Sequence, residues 1–293
     1  MNKRLFKDFC VFSKYQLESK DIDPVYPVLR RYYRLRGLTG EQKLWFTELY
    51  VTFYDLGSAQ KVFDKYLCMA EIEDPLTYST GIERRGFRGN GLATEHLNSF
   101  VAAVRRYGKI LSWVKSGMNS SSREESWRKM RDSYQHLRYC GPWSSYKWAD
   151  LLKNVHGFKL TANDIGVGGN SETAGPIPGM VLLTEENWKR CATDVALQKD
   201  LLSRSVDAGV AFSGLDQLET CLCDFNSLVK GSYYSGHDID IQQVQLPDDP
   251  VWQEARAAEI PAQTRGEIGG WIGVRKKLKA LYRDKGEIYS DLR

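Results

Sequence analysis

Two amphipathic stripes separated by one Gly-Pro pair constrain this chain more than any other feature. Trp127, Met130, Tyr134 and Leu137 recur at i, i+3, i+7 and i+10, one face of an α-helix, and leave Arg128, Arg131 and Arg138 on its other faces. Gly141-Pro142 then breaks the pattern. Glycine can take a left-handed cap, and proline at a first helical position needs no N–H partner. Trp148, Leu151, Leu152 and Val155 rebuild the stripe at once, with Gly157 placed to end it. The spacing predicts a helix-hairpin-helix whose second helix presents the N–H groups after Gly141 to a phosphate, without base preference. An ordinary helical corner satisfies the same spacing.

Behind the hairpin, Thr161 to Pro178 carries four glycines and two prolines after Asp164 and has no periodicity, so it reads as a long structured loop. Asp164 is the carboxylate closest behind the hairpin and a catalytic candidate; a helix cap or Asx-turn is the alternative. A second loop, GIERRGFRGNG from Gly81 to Gly91, packs Arg84, Arg85 and Arg88 among four glycines. Such a segment can clamp a phosphate or pyrophosphate, or serve as a solvated loop.

The remaining chain reads as helices. Val28, Leu29, Tyr32 and Tyr33 suggest one, closed near Gly37; Thr39 and Gln42 form a capping box ahead of Trp45, Leu49 and Phe53, with Tyr54 alongside. Ser58 to Tyr66 and Leu92 to Tyr107 continue the pattern, and Ser116 to Ser122 reads as a turn. Thr184 is expected to cap a helix running toward Arg204, with Leu183 and Trp188 as its staple. A further helix from Ser213 buries Leu215, Leu218, Leu222, Phe225 and Val229, and shows Gln217, Thr220, Asp224 and Ser227 on its polar face. It delivers Lys230 to a stop at Gly231. With no strand-period run of useful length, the fold class is mainly α.

Residues 1–24, closed by Asp23-Pro24, read as an N-terminal extension, residues 25–240 as the catalytic domain, and residues 241–293 as a basic tail. A 42% hydrophobic content suffices for a real core. No apolar run approaches a membrane span, and the start MNKRLFKDFCVFSKY is too often interrupted by charge for a signal peptide, so a cytosolic protein is expected. Six cysteines without a Cys-x-x-Cys and four separated histidines indicate neither a disulfide framework nor a zinc site. Net charge is +4, with arginines clustered at 30–36 and 84–88 and lysines near 276, interleaved with aromatics; this is compatible with nucleic-acid binding.

Taken in order, LYVTFYDLGSA, the RRGFR loop, the hairpin YCGPWSSYKWADLL, the Asp and Gly/Pro loop ending GPIPGM, and LETCLCDFNSLVKGSYYSG resemble the bacteriophage α-glutamyl/putrescinyl-thymine pyrophosphorylases. These are amino acid:DNA transferases of the helix-hairpin-helix DNA glycosylase superfamily. The similarity covers roughly residues 20 to 240, although CGPWSS lacks the second glycine usual in the glycosylase turn.

The resemblance implies a mainly α, glycosylase-like fold and a reaction in the cytoplasm of an infected bacterial host. The acceptor would be double-stranded phage DNA carrying 5-(pyrophosphoryloxymethyl)uracil. A free amino acid or polyamine would replace pyrophosphate at the exocyclic methylene, with no redox cofactor and conceivably a divalent ion on the leaving group. Asp164, which matches the glycosylase aspartate by its place after the hairpin, or Asp224 would accept the amine's proton. Arg84, Arg85, Arg88, Gly141, Lys147 and Lys230 would hold pyrophosphate and DNA, while Tyr54, Trp143 and Tyr146 would line the pocket for a flipped base. A base-excising glycosylase and a non-catalytic DNA-binding protein remain the alternatives.

Overall fold

The computed structural model describes residues 1–76, 92–166, 175–230 and 233–260, and every regular element among them is a helix. The first eight are α1 (Lys3–Ser19), α2 (Val25–Leu35), α3 (Gly40–Phe53), α4 (Leu56–Lys65), α5 (Leu92–Arg105), α6 (Ile110–Gly117), α7 (Arg123–Gln135) and α8 (Pro142–Asn154). They are followed by α9 (Pro176–Thr184), α10 (Trp188–Thr193), α11 (Val195–Asp207), α12 (Leu215–Val229), α13 (His237–Gln245) and α14 (Pro250–Glu259). Among the described residues no helix is long and apolar enough to cross a membrane. The expectations for Arg84, Arg85, Arg88, Gly231 and the basic stretch near Lys276 lie outside the described residues.

The chain forms two compact units. One comprises Met1–Val25, Ala162–Val244 and the chain from Ala257; the other comprises Tyr26–Thr161 and Gln245–Arg256. Residues 1–24 therefore belong to the first unit, where the sequence reading had set them apart. Phe9 and Phe12 of α1 are fully buried and meet Phe225 of α12 with ring centroids 5.4 and 5.7 Å apart. The apolar stripe of α12 is buried as expected, from Leu215 through Val229. Against it lies α9, at an approach set by Gly179: a Cβ there would sit 2.3 Å from the Leu222 carbonyl oxygen. Only a glycine permits helices that close.

Two local expectations are corrected in this unit. Thr184 ends α9 instead of capping the next helix; its Oγ1 donates to the Met180 carbonyl oxygen, and Glu185 takes the left-handed cap at φ 62°. The caps are Asn187 and Asp194, so the expected single helix is two, α10 and α11. Pro176 and Pro178 are likewise helical, because a proline in the first turn has no intrahelical N–H to lose.

The second unit has an aromatic core. Phe100 packs edge-on against Trp113 and Trp148 at 5.3 and 5.8 Å, and Trp148 stacks on Tyr134 at 5.2 Å. The Thr39–Gln42 capping box starts α3 as the sequence predicts, while Gly37 and Gly157 take the left-handed conformation at φ 61° and 73°. Residues 245–256, read as the start of a tail, contribute core material: Trp252 is fully buried and stacks on Tyr32 with centroids 3.6 Å apart.

Both stripes of the hairpin are buried, and α7 packs on α8 with Trp127 edge-on to Tyr146 at 5.2 Å. The turn differs from expectation. Tyr139 carries the left-handed conformation, at φ 61°, and Gly141 is an extended N-cap at φ −114°, followed by Pro142 at the first helical position.

Candidate active site

The hairpin rests on a closed polar network inside the second unit. Glu48 of α3 and His96 of α5 are both fully buried. His96 Nε2 lies 2.6 Å from Glu48 Oε1 and its Nδ1 2.9 Å from the Arg138 carbonyl oxygen at the turn. His96 thereby bridges the α3 carboxylate and the carbonyl at the turn. Tyr134 of α7 donates to the other Glu48 oxygen at 2.9 Å, and burial, reinforced by the Glu48 charge, holds its hydroxyl pKa well above the usual range. The turn is thus pinned from beneath by α3 and α5.

Along α8 the expected contact residues separate into two sets. Trp143, in the first turn of α8, is buried and edge-on to Tyr54 at 4.9 Å, and Tyr54 lies 5.1 Å from Tyr50. Together these rings make an aromatic cluster in which Tyr54 is the half-buried member. Tyr146 faces the core at 1% exposure, with the Arg131 guanidinium over its ring. Lys147 also turns inward: its ammonium donates to the Tyr26 hydroxyl at 2.7 Å and lies 3.4 Å from Asp150, and the Tyr26 hydroxyl in turn donates to Asp150. Gly141 donates its N–H to Ser144 Oγ at 3.3 Å, which closes the first turn of α8.

The first unit concentrates carboxylates. Asp21, just after α1, is fully buried and accepts from the Gly236 and Ile239 N–H groups at 2.6 and 3.0 Å and from the Tyr233 hydroxyl at 3.1 Å. Gln16 of α1 ties this group to α12. Its amide nitrogen donates to Tyr233 at 2.9 Å and to Asp224 Oδ2 at 3.3 Å. Burial and the neighbouring Asp238 charge push Asp21 up to about 7, despite the three hydrogen bonds that pull it down. Asp224 is also raised, well above its ordinary value, first by burial and then by Asp238, Asp21, Asp23 and Glu219. Among the described residues no basic side chain forms an ion pair with either carboxylate.

Asp164 belongs to the same unit and closes an Asx-turn, with its Oδ1 accepting the Gly166 N–H at 2.7 Å. Lys230 is the exposed C-cap of α12.

Against known families, residues 17–234 match the family model for amino acid:DNA transferases. The chain belongs to the amino acid:DNA transferase family. No curated protein sequence matches it significantly.

An amino acid:DNA transferase acts on DNA with amino acids, and the matched stretch contains both the α7–α8 hairpin and the buried carboxylates of the first unit. For this transferase, sequence spacing singles out Asp224 through the polar face of α12, and the structure places it in the buried carboxylate group. It missed Asp21, Gln16 and Tyr233, which lie more than two hundred residues apart in contacting pairs and share no local periodicity. It also missed Glu48 and His96, hidden within apolar stripes of α3 and α5.

Proposed function

We propose that this transferase places an amine on the 5-methylene of pyrophosphorylated 5-hydroxymethyluracil in phage DNA and releases pyrophosphate, within the infected host's cytoplasm. The nitrogen lone pair forms the new C–N bond as the C–O bond to pyrophosphate breaks, and one proton leaves the incoming ammonium. No electrons change hands, so the balance needs no redox cofactor. The observation that carries this reading is the Asp224–Gln16–Tyr233–Asp21 network. An ordinary carboxylate is a poor base toward an alkylammonium; one whose pKa is raised toward the working pH narrows that gap. Burial raises it here, and a cation arriving beside Asp224 favours the ionised form that accepts the proton.

The other roles follow from where the chain puts each residue. The α7–α8 turn at Gly141 would hold the DNA backbone in a helix-hairpin-helix, glycosylase-like manner, with exposed Lys230 as a further phosphate partner. Tyr54, half-buried and packed on Trp143, would offer a ring to a flipped thymine derivative. Arg84, Arg85 and Arg88 would neutralise the leaving pyrophosphate. Lys147 and Tyr146, both buried, support α8 from within. Asp164 holds its loop through the Gly166 turn, leaving the base role to Asp224.

The reading is tested by incubating the protein with DNA containing 5-(pyrophosphoryloxymethyl)uracil and a panel of amino acids and polyamines, followed by nucleoside mass spectrometry. An amine-for-pyrophosphate mass change supports it. Alkali-labile abasic sites would show base excision instead, and binding without any modified nucleoside would reduce the protein to a DNA-binding one.

A further inference from the structure

A groove of about 660 Å³ runs over the second unit between α5, α6 and α7. Its floor is apolar, formed by Ala103, Trp113 and Leu137, while Ala102 leaves one wall low because it projects no more than a methyl group. The rim is different. Arg106, Tyr107, His136 and Arg138 are all exposed, with Tyr107 at 46%. Glu95 is the one acidic lining residue, and it pairs with Arg138 at 3.1 Å. Arg106 makes no ion pair among the described residues.

This composition suits a polyanion carrying flat apolar groups. Guanidinium groups on a rim recognise phosphodiester oxygens, and an exposed tyrosine beside them offers a stacking face that tolerates any base. His136 and Arg138 also belong to the turn between α7 and α8, so the groove is continuous with the hairpin surface. We propose that this groove is a second DNA-binding site, which takes the phosphodiester backbone of one strand through Arg106 and Arg138 and a base against Tyr107. It goes beyond the transfer chemistry and rests only on DNA being a substrate, as the family membership shows.

The test uses the full-length protein and a short unmodified duplex with a single-stranded overhang, in which no transfer chemistry takes place; failure of the pyrophosphate reading therefore leaves it intact. Binding is followed by fluorescence anisotropy over a range of salt concentrations. The double variant Arg106→Ala/Arg138→Ala should bind about tenfold more weakly. Its plot of log affinity against log salt should flatten by one to two, since each phosphate contact contributes about 0.9 to that slope. Ala102→Trp, which fills the groove from an exposed wall, should weaken binding while leaving the thermal midpoint within a degree or two of the parent, because it touches no core position. Unchanged affinity and slope in the double variant would overturn the proposal. So would a change in sedimentation of the protein alone, which would make the groove a contact between copies, or an effect confined to amino acid affinity.

Discussion

The two units treat buried polar groups in opposite ways. In the second unit Glu48 is held by hydrogen bonds with His96 and Tyr134, and Lys147 has the Tyr26 hydroxyl and the Asp150 carboxylate as partners. In the first, Asp21 and Asp224 sit among further carboxylates, with Gln16 and Tyr233 as donors and, among the described residues, no basic side chain paired with them. A satisfied network fixes geometry, while an uncompensated one stores proton affinity. On the proposed function, the hairpin unit would supply grip on DNA and the unit of α1 and α12 the acid–base chemistry.

Breaking the paired network should have the largest effect. His96→Ala leaves the Glu48 carboxylate buried without its partner and frees the Arg138 carbonyl, so we expect a loss of about 3–5 kcal/mol in denaturant unfolding. If the loss is below about 1 kcal/mol, the pair does not support the turn and the contrast between units dissolves. Next in size is Gly179→Ala. The added methyl meets the Leu222 carbonyl at 2.3 Å, and separating α9 from α12 should cost about 1–3 kcal/mol. A neutral result would show that these helices yield, and that the carboxylates on α12 stand on a compliant scaffold.

The smallest expected effect is a pH dependence that sharpens the contrast. Asp21 is raised from the ordinary 3.8 to about 7, so the folded state holds its proton more tightly than the unfolded chain does. The stability this confers is complete below pH 3.8 and is lost as pH rises toward and through 7. Gly236 and Ile239 donate to different oxygens of Asp21; Asp21→Asn keeps an acceptor for one of them and carries no charge, so its thermal midpoint should fall less between pH 5 and 8 than that of the parent. A parallel fall in both proteins would remove Asp21 as the source.

The sequence made the local features legible and concealed the distant ones. The Thr39 capping box, the buried stripes of α7, α8 and α12, and the stops at Gly37 and Gly157 are set by residues within two turns of one another, and each forms as read. Thr184 misled because threonine serves either end of a helix: as N-cap acceptor, or, as here, through its hydroxyl to the carbonyl four residues back. At the hairpin, glycine suggested the left-handed residue, yet Tyr139 takes that conformation, and a Cβ on Gly141 would meet nothing within 4 Å. Trp252 against Tyr32, and Asp21 against Tyr233, join segments about 200 residues apart, which no periodicity connects. Of the expected site residues, Trp143, Tyr146 and Lys147 are all buried because α8 is buried on nearly every side, and Tyr54 is half-buried.

The account stands on Asp224 as the group that takes the amine's proton. The most direct measurement compares single-turnover amine transfer to pyrophosphorylated DNA by Asp224→Asn and Asp164→Asn. Asparagine at 224 keeps the shape and can still bond Gln16 but accepts no proton, so the rate should fall roughly 100-fold or more with DNA affinity unchanged. Asparagine at 164 can still accept the Gly166 N–H, and its rate should stay within a few-fold of the parent. A near-normal rate for Asp224→Asn with collapse in Asp164→Asn would contradict the account and move the base to the loop behind the hairpin.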